Sequence, residues 1–248
     1  MPAVERMLEA TARAEDRHFW FRGLRRHARQ LLDAARPARP LRRIVDCGCG
    51  TGRNLDWLGA YGPAVGVELH PAGLRHARSR GRLVVRGSVA ALPFADASAD
   101  LATSFDVLYC LDDETEARAL AEMWRVLAPG GIVIVNVAAL DVLRGSHSVL
   151  THEVRRYTRE RLAARLARAG FTVERMTYTN LSPLPAALAV RGVQRLTGRA
   201  AEPSDADLRV PSWPVNAAFD VALRAEALWL RIGNLPAGTS LMALGRKR

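Results

Sequence analysis

Arg43-Ile44-Val45-Asp46-Cys47-Gly48-Cys49-Gly50-Thr51-Gly52-Arg53-Asn54 compresses a strand, a tight turn and a helix start into one stretch. The β-branched run stops at an acid, and glycines then occupy every second position from 48 to 52. Glycine admits left-handed backbone and lets a ligand reach the main chain with no Cβ in the way. The helix start beyond it offers unpaired N–H groups. A ligand with a polar, adenosine-like body is expected at this turn.

Spacing narrows the choice. In the dinucleotide fingerprint the third glycine or alanine stands three positions after the second; here that position is Arg53, and the third glycine arrives one residue early at Gly52. Arg53 would obstruct the helix packing that a dinucleotide turn needs. Asp46-x-Gly48-x-Gly50-x-Gly52 instead resembles the first motif of class I S-adenosylmethionine-dependent methyltransferases. Further segments carry the same resemblance. Ala64 to Leu69 reads as a second buried strand ending in Glu68, 18 residues past Gly50, where a βαβ unit places a carboxylate beside ribose hydroxyls. Gly87-Ser-Val-Ala-Ala-Leu-Pro-Phe94 is similar to the family's Gly-Asp-Ala-x-x-Leu-Pro-Phe segment, and Trp124-Arg-Val-Leu-Ala-Pro-Gly-Gly131 to its Arg-Val-Leu-x-Pro-Gly-Gly turn.

The resemblance implies S-adenosyl-L-methionine as cofactor. Asp46, Cys47, Gly48, Cys49, Gly50, Gly52 and Asn54 would surround its methionyl part, Glu68 and Leu69 its ribose, and Ser88 with the Val89 backbone its adenine, with Phe105 beside it. Two departures stand out. Ser88 replaces the family's adenine-binding Asp, and Phe105 and Cys110 take positions where relatives carry an Asn or Ser and a His.

Repeated βα units with short turns predict an α/β, doubly wound, mostly parallel sheet of seven strands, the Rossmann-like methyltransferase fold, with ligands at the carboxyl ends of the strands. The cofactor-binding core spans 41–179, preceded by a helical segment or lid over 1–40, in which Pro37 and Pro40 stop the helix. A helical insertion covers 180–238, and the last, antiparallel strand lies in 239–248. Pro129 is expected to end the preceding helix, with the following glycines as its cap. Within the insertion, 215–232 reads as an amphipathic helix whose apolar face holds Val215, Phe219, Ala222 and Trp229, flanked by Val221, Ala225, Leu228 and Ile232. That face packs on the core or on a second subunit, or touches lipid through Arg224 and Arg231 at its margin.

The acceptor side is less legible. His18 and Trp20, in the cluster His18-Phe-Trp-Phe21, together with Asp106 and Cys110, are candidates to face the substrate. His147, His152 and Tyr157, in the loop after the fifth strand, are candidate catalytic groups, since a histidine of near-neutral pKa can take a proton from an acceptor hydroxyl.

Composition bounds the rest. The 248-residue chain carries a formal charge of +11 and a single lysine, Lys247, so its positive charge is nearly all arginine. Residues 71–86 hold five arginines and no acid, yet no interleaved aromatics, so a nucleic-acid platform is not indicated. Three cysteines are too few for a disulfide framework, no metal set is expected, and the absence of a long apolar run points to a cytoplasmic protein. The expected function is methyl transfer from S-adenosyl-L-methionine to an oxygen of a small-molecule or lipid-linked acceptor. The alternatives are a non-catalytic protein that binds this cofactor and an NAD-dependent oxidoreductase.

Overall fold

Each buried strand residue serves one of two helix layers, because successive side chains leave opposite faces of a sheet. In the computed structural model, which describes residues 3–35 and 41–248, the chain runs α1 (Ala3–Ala14), α2 (Phe19–Ala34), β1 (Ile44–Cys47), α3 (Arg53–Leu58), β2 (Ala64–Glu68), α4 (Pro71–Ser79) and β3 (Val84–Arg86). It continues with β4 (Ala99–Phe105), α5 (Asp113–Val126), β5 (Leu127–Ala138), α6 (Ser146–Leu150), α7 (Arg159–Arg168), β6 (Phe171–Thr179), α8 (Leu184–Leu196), α9 (Trp213–Trp229) and β7 (Ser240–Lys247). One sheet has the order β3-β2-β1-β4-β5-β7-β6. The first five strands are parallel, and β7 slots antiparallel between β5 and β6.

Alternation is visible in β5. Val133, Val135 and Val137 pack with Leu120, Met123, Leu162 and Leu166 of α5 and α7. Ile132 and Ile134 pack on the other side with Leu24, Leu31 and Leu32 of α2 and Leu58 of α3. A parallel sheet covered on both faces needs such continuous apolar strands, and its carboxyl edge is left to face ligands.

One expectation about helix ends changes. α5 stops at Val126, because Leu127 is already extended and pairs with Ala99, so Pro129 lies inside β5 and Gly130, at φ +79°, bends the strand entry rather than capping a helix. The stop assigned to Pro37 and Pro40 lies outside the described residues.

The face of α9 also differs from the expected one. Asp220, Leu223, Glu226 and Ala227 are buried, whereas Val215, Val221, Leu228, Trp229 and Ile232 are exposed. The cause is charge supplied by α2 and by the 180s loop, which a hydrophobic period cannot register. Asp220 accepts from Arg26 at 2.8 Å and from Arg224 at 2.9 Å, with Arg22 at 3.3 Å. Glu226 accepts from the backbone N–H groups of Leu181 and Ser182. Leu223 meets α2 at Gly23, where a Cβ would lie 2.4 Å from its Cδ1. The N-terminal helices and the insertion thus form one connected layer over the site.

Candidate active site

The quoted stretch builds a cradle at the carboxyl end of β1. Gly48 and Gly50 take φ of +77° and +54°, conformations that L residues adopt with strain. A Cβ on Gly48 would also lie 2.5 Å from Val107 Cγ2, whereas at Gly50 it would meet only Leu8 Cδ2, at 3.6 Å. The Gly50 backbone is therefore open to an incoming group. Glu68, at the end of β2, accepts hydrogen bonds from the N–H of Gly50 at 2.9 Å and of His70 at 2.7 Å. A carboxylate offers about four acceptor positions, so Glu68 fixes the turn and keeps capacity for a diol.

A cavity of about 740 Å³ opens over this cradle, walled by Gly48, Cys49, Gly50, Asn54, Glu68, Leu69, Ser88, Val89 and Phe105 among others. These residues fit an adenosyl cofactor: an open glycine backbone, a carboxylate for the sugar, and the Ser88–Val89 turn for the base. Ser88 Oγ already accepts from the Ala90 N–H at 3.1 Å, so it offers adenine a shared oxygen. Asp46, Cys47 and Gly52 stand outside the wall and act on the turn from behind. Asp46 is buried in β1, accepts from Thr103 Oγ1 at 2.7 Å, and burial pushes its carboxyl up to about 7. Cys47 is a buried strand residue, and its thiol is raised by burial and by Asp46. Gly52, at φ +74°, starts α3 against Ala77.

The N-terminal segment is latched onto the cradle. Glu15 is buried and receives Thr51 Oγ1 and Arg80 Nη1; Asp16 receives Arg53; Glu9 faces His76 at 3.1 Å and Glu5 faces Arg75 at 3.1 Å. Arg75, His76 and Arg80 of the basic run thus dock the N-terminal segment, whereas Arg82 pairs with Asp56. Beyond the latch, His18 caps α2, its Nδ1 accepting from the Trp20 N–H at 3.1 Å, and burial lowers its pKa to about 4. The Phe19 ring lies 4.8 Å from that of Phe219 on α9. His18, Phe19, Trp20 and Phe21 all line the cavity, while Leu24, Ala28, Leu31 and Leu32 dock α2 on the sheet. The segment thus both lines the cavity and packs on the sheet.

The same cavity is also lined by Asp106, Tyr109, Cys110, His147, Glu153, Arg156, Asp207 and Phe219. Asp106 takes φ +62°, accepts from Asn136 Nδ2 at 2.8 Å, and burial raises its carboxyl to about 6. Cys110 is pushed up to about 12, chiefly by burial, which keeps it a protonated thiol. His147 is half-buried; burial lowers its pKa, and its Nδ1 has no partner among the described residues. The other two catalytic candidates need correction. His152 is exposed and absent from the wall. Tyr157 is 1% exposed and donates to Glu116 Oε1 at 2.7 Å, in a core network with Arg155, where burial raises its pKa. Among cavity residues not expected there from the sequence, Tyr109 sits in the segment already singled out, whereas Asp207 and Phe219, the latter expected only on the apolar face of α9, come from the insertion, whose approach to the site no local pattern signals.

The methyltransferase domain family model matches residues 45–135. A probable S-adenosylmethionine-dependent methyltransferase of Mycolicibacterium smegmatis is 33% identical over 140 residues, 54% of this chain and 53% of the relative. A malonyl-[acyl-carrier protein] O-methyltransferase of Erwinia pyrifoliae is 37% identical over 111 residues, 43% and 41% of the two chains. The chain spans about half the length of these curated relatives, or less. Among solved structures, a SAM-dependent methyltransferase of Thermotoga maritima, described as a possible histamine N-methyltransferase, shares the fold with a TM-score of 0.57 and 24% identity, over 98% of this chain and 100% of that one. Residues 45–135 are thus a methyltransferase domain, and through it, with the cradle, the Glu68 carboxylate and the sheet order beside it, the chain is similar to the class I S-adenosylmethionine-dependent methyltransferases.

Proposed function

We propose that the protein transfers a methyl group from S-adenosyl-L-methionine to an oxygen of a small-molecule or lipid-linked acceptor with an apolar body. The observation that carries this reading is that one cavity is lined both by the glycine cradle with Glu68 and by Asp106, Cys110 and His147. The bound cofactor supplies an electrophilic methyl group; the protein supplies orientation, exclusion of water and a proton acceptor. Asp106 suits that last role. Asn136 holds one carboxylate oxygen, the other is available to an acceptor hydroxyl, and a carboxyl near 6 is ionised at neutral pH while more basic than an ordinary one. His147 faces the same cavity as a neutral imidazole and orients the acceptor. Phe19, Trp20 and Phe219 would enclose its apolar body. The name of the Erwinia relative supports oxygen as the methylated atom.

Access from a lipid surface is part of the same reading. On α9 and just beyond it, Val221, Leu228, Trp229 and Ile232 are exposed in a row, with exposed Arg224 and Arg231 beside them, the pairing that favours an anionic interface. No helix among the described residues is long and apolar enough to cross a membrane, so such contact would be peripheral, made by a cytoplasmic protein. Failure to sediment with anionic vesicles at low salt would remove this element.

The test is to incubate the protein with methyl-labelled S-adenosyl-L-methionine and a fractionated metabolite and lipid extract. Label appearing on an oxygen of an apolar-bodied compound, and lost with Asp106→Asn, supports the reading. Tight cofactor binding without transfer to any fraction would leave a non-catalytic binding protein instead.

A further inference from the structure

Five arginines line the cavity: Arg25, Arg53, Arg156, Arg191 and Arg209. Four of them face carboxylates. Arg53 meets Asp16 and Asp56, Arg156 meets Glu153 at 2.8 Å, Arg191 meets Asp207, and Arg209 lies 3.6 Å from Asp205. Arg25 differs. Among the described residues its side chain donates one hydrogen bond, to the Glu15 carbonyl oxygen at 2.8 Å, and has no carboxylate within ion-pair distance.

The acids nearest to it are already engaged. Glu15 holds Thr51 and Arg80, and Asp16 holds Arg53. Burial, followed by the repulsion of Arg53, lowers the Arg25 guanidinium to about 10, so it remains charged at neutral pH. Glu15 and Asp16 attract Arg25 without pairing with it, and a partly desolvated cation whose neighbouring acids are engaged elsewhere gains when an anion enters beside it. Arg25 stands on the second turn of α2 and is tied to the glycine turn: it donates to the carbonyl of Glu15, whose side chain receives Thr51 Oγ1, and Arg53 is close enough to repel it. Of the two sources of a carboxylate, cofactor or acceptor, this position favours the cofactor.

We propose that Arg25 binds the α-carboxylate of the methionyl part of the cofactor, so that the N-terminal layer closes over the cradle on a charge that the glycine turn itself does not neutralise. The assignment rests on the reading of this cavity as an S-adenosyl-L-methionine site. It also gives the α1–α2 layer a role in selecting the cofactor: an adenosyl compound without the carboxylate would leave Arg25 unpaired.

Calorimetric titration of the full chain with S-adenosyl-L-methionine and with its decarboxylated analogue, which lacks this group alone, tests the assignment. The wild type should prefer the carboxylate-bearing compound by about tenfold or more, the range of a charge-assisted hydrogen bond. Arg25→Met should lose that preference by weakening S-adenosyl-L-methionine about 10- to 100-fold while the analogue's affinity stays within about twofold. That unchanged affinity also shows that the variant is folded, and Arg25→Lys should recover part of the loss. Equal weakening of both compounds, or of neither, overturns the assignment. Unchanged cofactor affinity with a raised acceptor KM would move the carboxylate to the acceptor, and a wild type that binds neither compound removes the cofactor reading and this assignment with it.

Discussion

Replacing Asp106 with Asn separates catalysis from stability. In the folded protein the carboxyl titrates near 6 because burial disfavours its charge, against an ordinary value of 3.8. The folded state therefore holds this proton more tightly than the unfolded state does. Below about pH 4 both states are protonated and nothing is lost; the cost develops between about pH 4 and 6 and is complete above that. At 1.36 kcal/mol per pH unit the full cost is about 3 kcal/mol, reduced to about 2 kcal/mol by water reaching the half-buried group through the cavity. Asn removes the charge, keeps an oxygen for the Asn136 N–H, and is among the residues that best tolerate φ near +60°. Urea denaturation of both proteins at pH 5 and pH 8 should show the variant more stable at both, with the gap widening by about 1 kcal/mol at the higher pH. Meanwhile kcat should fall about 10²- to 10⁴-fold, and the acid limb of the wild-type rate near pH 6 should vanish. A gap that stays constant or narrows as pH rises would refute the buried-charge reasoning, and a variant of unimpaired kcat would refute the proton-acceptor role.

Three further outcomes are expected. Glu68→Ala should weaken the cofactor by about 1.5–3 kcal/mol, the range for a hydrogen bond to a charged group, and should lower Tm because the Gly50 and His70 N–H groups lose their acceptor; an unchanged Kd by calorimetry ends the ribose assignment. Tyr157→Phe deprives buried Glu116 of a donor and should destabilise by about 1–2 kcal/mol, with kcat and cofactor affinity intact; a hundredfold loss of kcat at normal stability would return Tyr157 to the catalytic set. Gly48→Ala imposes a side chain at φ +77° within 2.5 Å of Val107 and should destabilise by about 1–3 kcal/mol and weaken the cofactor, with Val107→Ala restoring the steric part. Thermal melts and titrations of the pair check this.

What could be read from the sequence was what local physics determines. The glycine spacing of 48, 50 and 52, the acid at 68 and the continuous apolar run of β5 each work within a few residues of chain, and the sheet order and the cavity wall agree with them. Asp46 shows the limit of that reasoning. It stands in the motif, yet it supports β1 from behind through Thr103, because a strand residue's face depends on the neighbouring strand. Tyr157 shows another limit. An exposed-looking polar loop, Arg155-Arg-Tyr157, turns inward because Glu116, 41 residues earlier, is buried and needs donors. The buried face of α9 follows the same rule: Asp220 and Glu226 are drawn inward by partners on α2 and near Ser182, which no periodicity of α9 itself records, so the apolar face does not pack on the core.

The division between legible and illegible residues follows the division of labour in the site. The segment that matches the family model, 45–135, contains the cradle, Glu68 and Ser88, the parts read here as meeting the methyl donor, and also Asp106. His18, Trp20, His147, Asp207 and Phe219 come from outside it, from the start of α2, from α6 and from the insertion, and they line the part of the cavity where we propose the acceptor lies. These outer elements are held together by charge: Glu15 to Thr51 and Arg80, Asp220 to Arg22 and Arg26, Glu226 to Ser182. Such pairs tolerate exchange of the apolar residues between them, since the ion pairs set the distance between helices while the cavity's lining varies. Acceptor identity is therefore encoded in the shape enclosed by α2 and α9. Exchanging Phe19, Trp20 and Phe219 should change which compound is methylated while leaving the cofactor's affinity where Glu68 and the glycine turn set it.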